Sequence, residues 1–260
     1  MNDRRGHVSI GVAAVIGTVR IRAIAALVEQ AGFHALWIND TPGADALAGL
    51  AAAAAVTERI NLATGVVPLD RRSADQIVDD VSSLELPEDR LIIGIGTGGM
   101  RTGALAHVRT AVDTVKDGTR ARVVVGALGP KMRALAAERS DGVLLNWLTP
   151  EAAAEQTGET RSRGNARSIL YVRTAFDPDA AGALEEESAR YASFPQYAAN
   201  FARLGVSAGD TVIAPGEHAR ERLSAYRGAV DEVVLRAITP GNTARDDAAF
   251  VARAAIERDR

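Results

Sequence analysis

The chain contains no cysteine, which excludes disulfide cross-links and thiolate metal sites outright. Histidine is also scarce. The four that occur, His7, His34, His107 and His218, stand far apart and none enters an H-x-x-x-H spacing, so zinc chemistry finds no ligand set. Positive charge is not in excess, with 30 basic residues against 33 acidic ones and a net charge of -3, and aromatic residues make up only 4% of the chain. A basic stripe interleaved with aromatics, the footprint of a nucleic-acid binder, is therefore missing. No apolar run approaches the roughly 18 residues that a membrane span needs. The Ala-rich ALAGLAAAAAV is too short and too small in side-chain volume, and reads as a tightly packed helix. The opening MNDRRGHVSIGV lacks the apolar core and cleavage site of a secretory leader. These absences leave a small molecule as the expected partner, with neither nucleic acid nor membrane, and the cytoplasm as the expected location.

What is present is regular. In 260 residues, 47% of them hydrophobic, short β-branched runs alternate with longer Ala-rich helical stretches, the mark of βαβ units and a parallel sheet. Eight strands are expected, at 8–12, 36–39, 60–67, 91–95, 122–127, 142–145, 169–175 and 232–237. Runs such as LIIGIG and VVVGAL are apolar throughout rather than alternating, as in strands covered on both faces. The helix pattern of TVRIRAIAALVEQAG stops at Gly32, and SADQIVDDVSSLELPEDR opens at the N-cap residue Ser73 and must end before Pro87. Eight strand–helix units with right-handed crossovers predict a (β/α)8 TIM barrel, with a doubly wound open sheet as the alternative. No repeat or low-complexity linker divides the chain, so residues 1–260 are expected to form one barrel domain. Two spacings depart from a regular barrel: residues 98–121, after the fourth strand, hold only one helix, and residues 177–230, after the seventh, hold an elaboration.

In such a barrel the strand C-termini face the active site. The second strand ends in WINDTP, placing Asn39 and Asp40 at the mouth. Asp40 either meets a bound heterocycle or caps the turn that follows. The fourth ends in GIGTGG, which lacks both the dinucleotide G-x-G-x-x-G spacing and a P-loop ending. Glycines there imply close approach of a flat ligand or of neighbouring backbone, or a plain barrel turn. The fifth ends in GALGPKM, where Pro130 falls at the first helical position. The amides of Lys131, Met132 and Arg133 are then free to meet an anion, with Lys131 adding charge, or simply water.

Taken together these strand ends resemble the luciferase-like flavin-dependent oxidoreductases, in particular the branch that uses the deazaflavin coenzyme F420. The segments that carry the likeness are EQAGFHALWIND, ERINLATGVVP, LIIGIGTG, DEVVLRAITPG and, most specifically, VVVGALGPKMRALAAERSDGVLLNWLTP. The resemblance implies a luciferase-like barrel, shortened after strand four and elaborated after strand seven. It places Asp40, the catalytic candidate, beside the ring together with Asn39. It implies a non-prolyl cis bond at Gly65–Val66 that backs the ring, with Thr64 just before it. Backbone at Gly96, Thr97 and Gly98, and at Ala127, Leu128, Gly129, Pro130, Lys131 and Met132, is implied to hold the ribityl chain and phosphate, and Asn146 and Trp147 to line the neighbouring wall. Two places depart from the sugar-phosphate dehydrogenase subgroup: Thr41 stands where a histidine is found, and Gly99 where a glutamate is found.

The function this implies is F420-dependent hydride transfer to or from a small organic substrate. The alternatives are an FMN-dependent monooxygenase and a non-catalytic flavin or deazaflavin binder. A phosphate-binding barrel enzyme of another kind ranks last, because ITPG after the final strand offers no lysine or paired carboxylates. His34 reads as a turn residue and His107 as a residue on an exposed helix face. The aromatic stripe Phe194, Tyr197 and Phe201 reads as packing over the site or as burying a subunit contact, the commoner outcome for such a stripe, and a homodimer is expected.

Overall fold

Nine parallel strands build the frame: β1 (His7–Ala13), β2 (Ala35–Asn39), β3 (Asn61–Thr64), β4 (Val67–Pro68), β5 (Leu91–Gly96), β6 (Arg122–Gly126), β7 (Gly142–Asn146), β8 (Arg167–Thr174) and β9 (Glu232–Ala237). The computed structural model describes residues 5–100 and 102–259. Residues 1–4, part of the stretch read for a leader, and positions 101 and 260 lie outside the described residues. The strands pair in the order β3-β2-β1-β9-β8-β7-β6-β5-β4, and a further pairing of β3 with β5 closes the sheet into a barrel. Closure excludes the open doubly wound alternative.

The expected third strand, 60–67, is corrected: it is broken in two, with Gly65 and Val66 outside the ladder and the peptide bond between them cis. Together β3 and β4 make one stave, so the barrel has eight. An apolar run such as LATGVVP shows where a strand lies but not where its backbone leaves the ladder.

The helices between the staves are α1 (Thr18–Gln30), α2 (Ala46–Ala54), α3 (Ala74–Ser83), α4 (Ala104–Gly118), α5 (Pro130–Arg139), α6 (Pro150–Arg161), α7 (Ala181–Ala192), α8 (Pro195–Leu204), α9 (Ala219–Ala229) and α10 (Ala244–Asp259). Their ends follow the punctuation. Ser73 and Gln76 form a reciprocal capping box at the head of α3, and Gly32 follows α1 with a left-handed φ of 71°. Only α4 joins β5 to β6, as the short spacing requires. The elaboration after β8 consists of α7 and α8, divided at Pro195, and the run TVIAPG, of which Ile213 pairs with Thr174 beside β8. Among the described residues no helix is long and apolar enough to cross a membrane.

Alternation along the strands sorts the core into two layers. Trp37, Ala63, Ile92, Val124, Leu144, Ile169, Tyr171 and Val234 pack together inside the barrel. The intervening residues, such as Leu36, Ile38, Val123, Val125 and Leu235, meet the helices outside. At the foot, His34 precedes β2 and stacks on His7 with ring centroids 4.1 Å apart, far from the strand C-termini. Nearby, Glu232 is buried and accepts hydrogen bonds from Ser9 Oγ at 2.6 Å and Trp37 Nε1 at 2.7 Å. Trp37→Phe takes one donor from this carboxylate and is expected to cost about 2–3 kcal/mol. At roughly 2–4 °C per kcal/mol for a chain of this size, thermal melting will show a fall of several degrees.

Candidate active site

Six of the eight staves, carried up to their C-terminal ends, present Asn39, Gly65, Gly96, Gly126, Asn146 and Arg173 around a cavity of about 470 Å³. Of the residues singled out in the sequence, Asn39, Asp40, Gly65, Val66, Gly96, Thr97, Gly98, Ala127, Leu128, Gly129, Met132 and Asn146 line it. Four others do not. Thr64 is fully buried, its hydroxyl donating to Gly94 O at 3.0 Å and accepting from Gly94 N at 2.8 Å, so it ties β3 to β5. Pro130 and Lys131 are exposed at the head of α5, outside the lining. Trp147 is 1% exposed and lies behind the wall, packed on Tyr191 and Phe201.

Asp40 is both a lining residue and a cap. Its Oδ2 accepts from Ala46 N at 3.0 Å at the start of α2, and its Oδ1 pairs with Arg71 Nη2 at 2.6 Å. The carboxylate is thus held in place from behind rather than left free. Asn39 beside it donates its amide to the Gly65 carbonyl, which fixes the bulge between β3 and β4.

The glycines at these strand ends answer to neighbouring chain rather than to a ligand. A Cβ on Gly94 would overlap the Thr64 carbonyl oxygen, and one on Gly96 would come within 2.6 Å of Val66 Cγ2. A Cβ on Gly126 would meet Val66 Cγ1 at 3.0 Å. Gly98 has a left-handed φ of 58°, and any Cβ there would strike the Asp70 carboxylate. That carboxylate accepts from Gly99 N at 2.7 Å and so secures the loop.

The head of α5 is the freer surface. Gly129 is its N-cap, no side chain caps it, and Pro130 opens the first turn. Arg133 N is not free as the sequence suggests: it donates to Gly129 O at 3.0 Å and closes the first turn. Among the described residues the amides of Leu128, Gly129, Lys131 and Met132 have no protein partner. The Arg133 guanidinium, buried, holds the loop from below through Leu128 O at 3.1 Å and pairs with Glu159 at 2.8 Å. A helix head with unmatched amides, on a braced loop beside a cavity, suits a phosphate.

The far wall was not legible from strand ends alone. Tyr171 and Arg173 from β8, and Tyr191, Gln196 and Tyr197 from α7 and its continuation into α8, complete the lining. The period-two run Ile169, Tyr171, Arg173 is the signal that could have found the first two. Burial pushes the Tyr171 phenol well above its ordinary range, and burial followed by the neighbouring Tyr191 raises Tyr197. Both stay neutral donors at ordinary pH. Glu187 of α7 is pulled the other way: burial would raise it, but Arg236 and Arg173 hold it below the usual carboxylate range. Of the two readings of the aromatic stripe, packing within the chain and over the site describes most of it. Phe201 is 6% exposed, Tyr197 faces the cavity, and only Phe194, 40% exposed, lies on the surface.

The fold and its mouth define a (β/α)8 barrel with a ligand cavity at the strand C-termini. Residues 11–103, which include Asn39, Asp40, the Gly65–Val66 bulge and the Gly96–Gly98 loop, match the luciferase-like monooxygenase family, in line with the resemblance read at the second, third and fourth strand ends. The chain is 30% identical over 208 residues to 5,10-methylenetetrahydromethanopterin reductase of Methanolobus tindarius. That match takes in 64% of this chain and spans 64% of the relative's own length. The coenzyme F420 dependent tetrahydromethanopterin reductase of Methanopyrus kandleri has the same fold, with a TM-score of 0.74 and 16% identity over 95% of this chain and 97% of that one. So does the oxygenating constituent of 3,6-diketocamphane monooxygenase from Pseudomonas putida, solved with FMN, with a TM-score of 0.68 and 13% identity over 95% of this chain and 96% of that one.

Proposed function

We propose that this chain is an oxidoreductase that binds a deazaflavin of the F420 type at the barrel mouth and exchanges hydride between that ring and a small organic substrate. The observation that carries the reading is the set of partnerless amides from Leu128 to Met132 at the head of α5, beside the cavity. The cavity also has polar atoms that await a ligand: Asn39 Oδ1 and Thr41 Oγ1 are buried without a partner. Buried polar groups are normally satisfied, so these residues fit a ring with donors and acceptors along its edge.

When bound, the deazaflavin supplies the hydride chemistry. The chain supplies position and electrostatics. The amides of Leu128, Gly129 and Met132 hold the phosphate, and the backbone of Gly96, Thr97 and Gly98 lies along the connecting chain. Val66, seated against Gly96 and Gly126, offers a wall to the ring. Asn39 and Asp40 meet its polar edge, Asp40 fixed by Arg71 and the Ala46 amide. Tyr191 and Tyr197 cover the opposite side and keep water out. The reductase names among the relatives support this reading. An FMN-dependent monooxygenase is the second reading, supported by the FMN-bound neighbour.

Separate titrations of the purified protein with F420 and with FMN, followed by fluorescence quenching, decide between them. F420 is expected to bind at micromolar concentration and at least about tenfold more tightly than FMN. Micromolar binding of FMN with none of F420 overturns the first reading. Binding of either without any change of its redox state across a substrate panel makes the chain a carrier rather than an enzyme.

A further inference from the structure

Register brings two like charges together at the mouth. Arg173 on β8 stands directly opposite Arg236 on β9, an arrangement that is unfavourable unless a counter-charge is supplied. Glu187 of α7 is that counter-charge for both, 3.2 Å from Arg173 Nε and 3.9 Å from Arg236 Nη2, and it also lies 3.8 Å from the exposed Arg190. One carboxylate therefore serves more than one guanidinium, and the interior is left with positive charge unmatched.

Arg173 is where that charge meets the cavity. It is 3% exposed, and its guanidinium lies against both the Trp147 and the Tyr191 rings, 4.1 and 4.6 Å from their centroids. Its Nε donates to Glu187 and its Nη1 to Asn146 Oδ1, whereas Nη2 has no partner among the described residues. Among the described residues, the charged ones of the cavity lining are Asp40 and Arg173, and Asp40 is already paired with Arg71. Two positions before Arg173 on the same face, the Tyr171 hydroxyl is buried, 3% exposed as a residue, and without a partner.

We propose that Arg173 and Tyr171 form a recognition point for a carboxylate on the substrate. The guanidinium supplies the missing counter-ion and a fixed donor edge, and the phenol supplies a second hydrogen bond. This assigns organic acids as the substrate class, and it rests on the reading of the cavity as the place where substrate meets the ring.

The test uses benzoate and benzamide, flat probes of matched shape that differ in charge, in calorimetric titrations of the full chain with and without F420. Wild type is expected to bind benzoate at least roughly tenfold more tightly than benzamide. Arg173→Gln should remove the preference while leaving F420 affinity within about twofold of wild type, and Arg173→Lys, which keeps the charge but not the fork, should restore part of it. Tyr171→Phe should weaken benzoate severalfold, and it serves as the independent variant should Arg173→Gln fail to fold by circular dichroism. Equal binding of the two probes to wild type overturns the proposal, as does a preference that survives Arg173→Gln. A loss of F420 affinity with the benzoate preference intact overturns it too, since Arg173 would then serve the cofactor. Benzoate preference without F420 binding would sink the cofactor reading and leave the carboxylate site standing, whereas F420 binding without the preference would do the reverse.

Discussion

Gly129→Asp is expected to lower cofactor affinity by about 100-fold, because a carboxylate about 5 Å from a bound phosphate at an effective dielectric of about 20 costs roughly 3 kcal/mol. The fold should not suffer. Gly129 has an ordinary φ of -92°, and a Cβ there meets nothing within 4 Å. Aspartate at an N-cap is at least as good as glycine, by a few tenths of a kcal/mol, so the melting temperature should hold or rise slightly. The opposite movements of affinity and stability identify the cause, since the new carboxylate takes for itself the amides that the phosphate would use. Fluorescence titration beside thermal melting checks both; unchanged affinity would place the phosphate elsewhere.

The largest effect on stability is expected from Gly94→Ala. Its new Cβ would overlap the carbonyl oxygen of Thr64, which is backbone and has no rotamer by which to escape. The two reciprocal bonds between the Thr64 hydroxyl and Gly94 would be disturbed as well. Overpacking of this kind costs about 3 kcal/mol or more when the obstacle cannot move, which for a chain of this length is a fall of about 6–12 °C in Tm. Gly158→Ala in α6 is the control: nothing lies within 4 Å of its Cβ, and alanine is favoured over glycine in a helix by up to about 1 kcal/mol. If both variants melt alike in denaturant titrations, the seam between β3 and β5 is softer than the geometry says.

The barrel itself was legible because its signals are local. Continuous apolar runs marked the strands, Gly32 and Ser73 marked helix ends, and the spacing after β5 allowed one helix only. Half of the mouth was legible for the same reason: Asn39, Asp40, Gly98 and Leu128 stand at strand ends that can be counted along the chain, and they line the cavity. The other half depends on which face a residue takes and on what the elaboration brings over the top. Arg173 precedes the end of β8 and Arg236 the end of β9, and each gains meaning only when the register sets them side by side under Glu187. Thr64 and Trp147 show the converse. Each sits where a ligand contact is expected, but alternation turns Thr64 onto Gly94, and a left-handed φ of 56° at Trp147 accompanies a side chain packed on Arg173 and Phe201. Position along the chain cannot report either.

Val66 fills the room that Gly96 and Gly126 leave on two adjoining staves. A larger residue at position 96, and less strictly at position 126, calls for a smaller one at position 66, so the three are coupled although they lie on separate strands. Changing one of the three alone leaves either a void or a clash beneath the cavity, so this part of the floor can be reshaped only by paired substitutions.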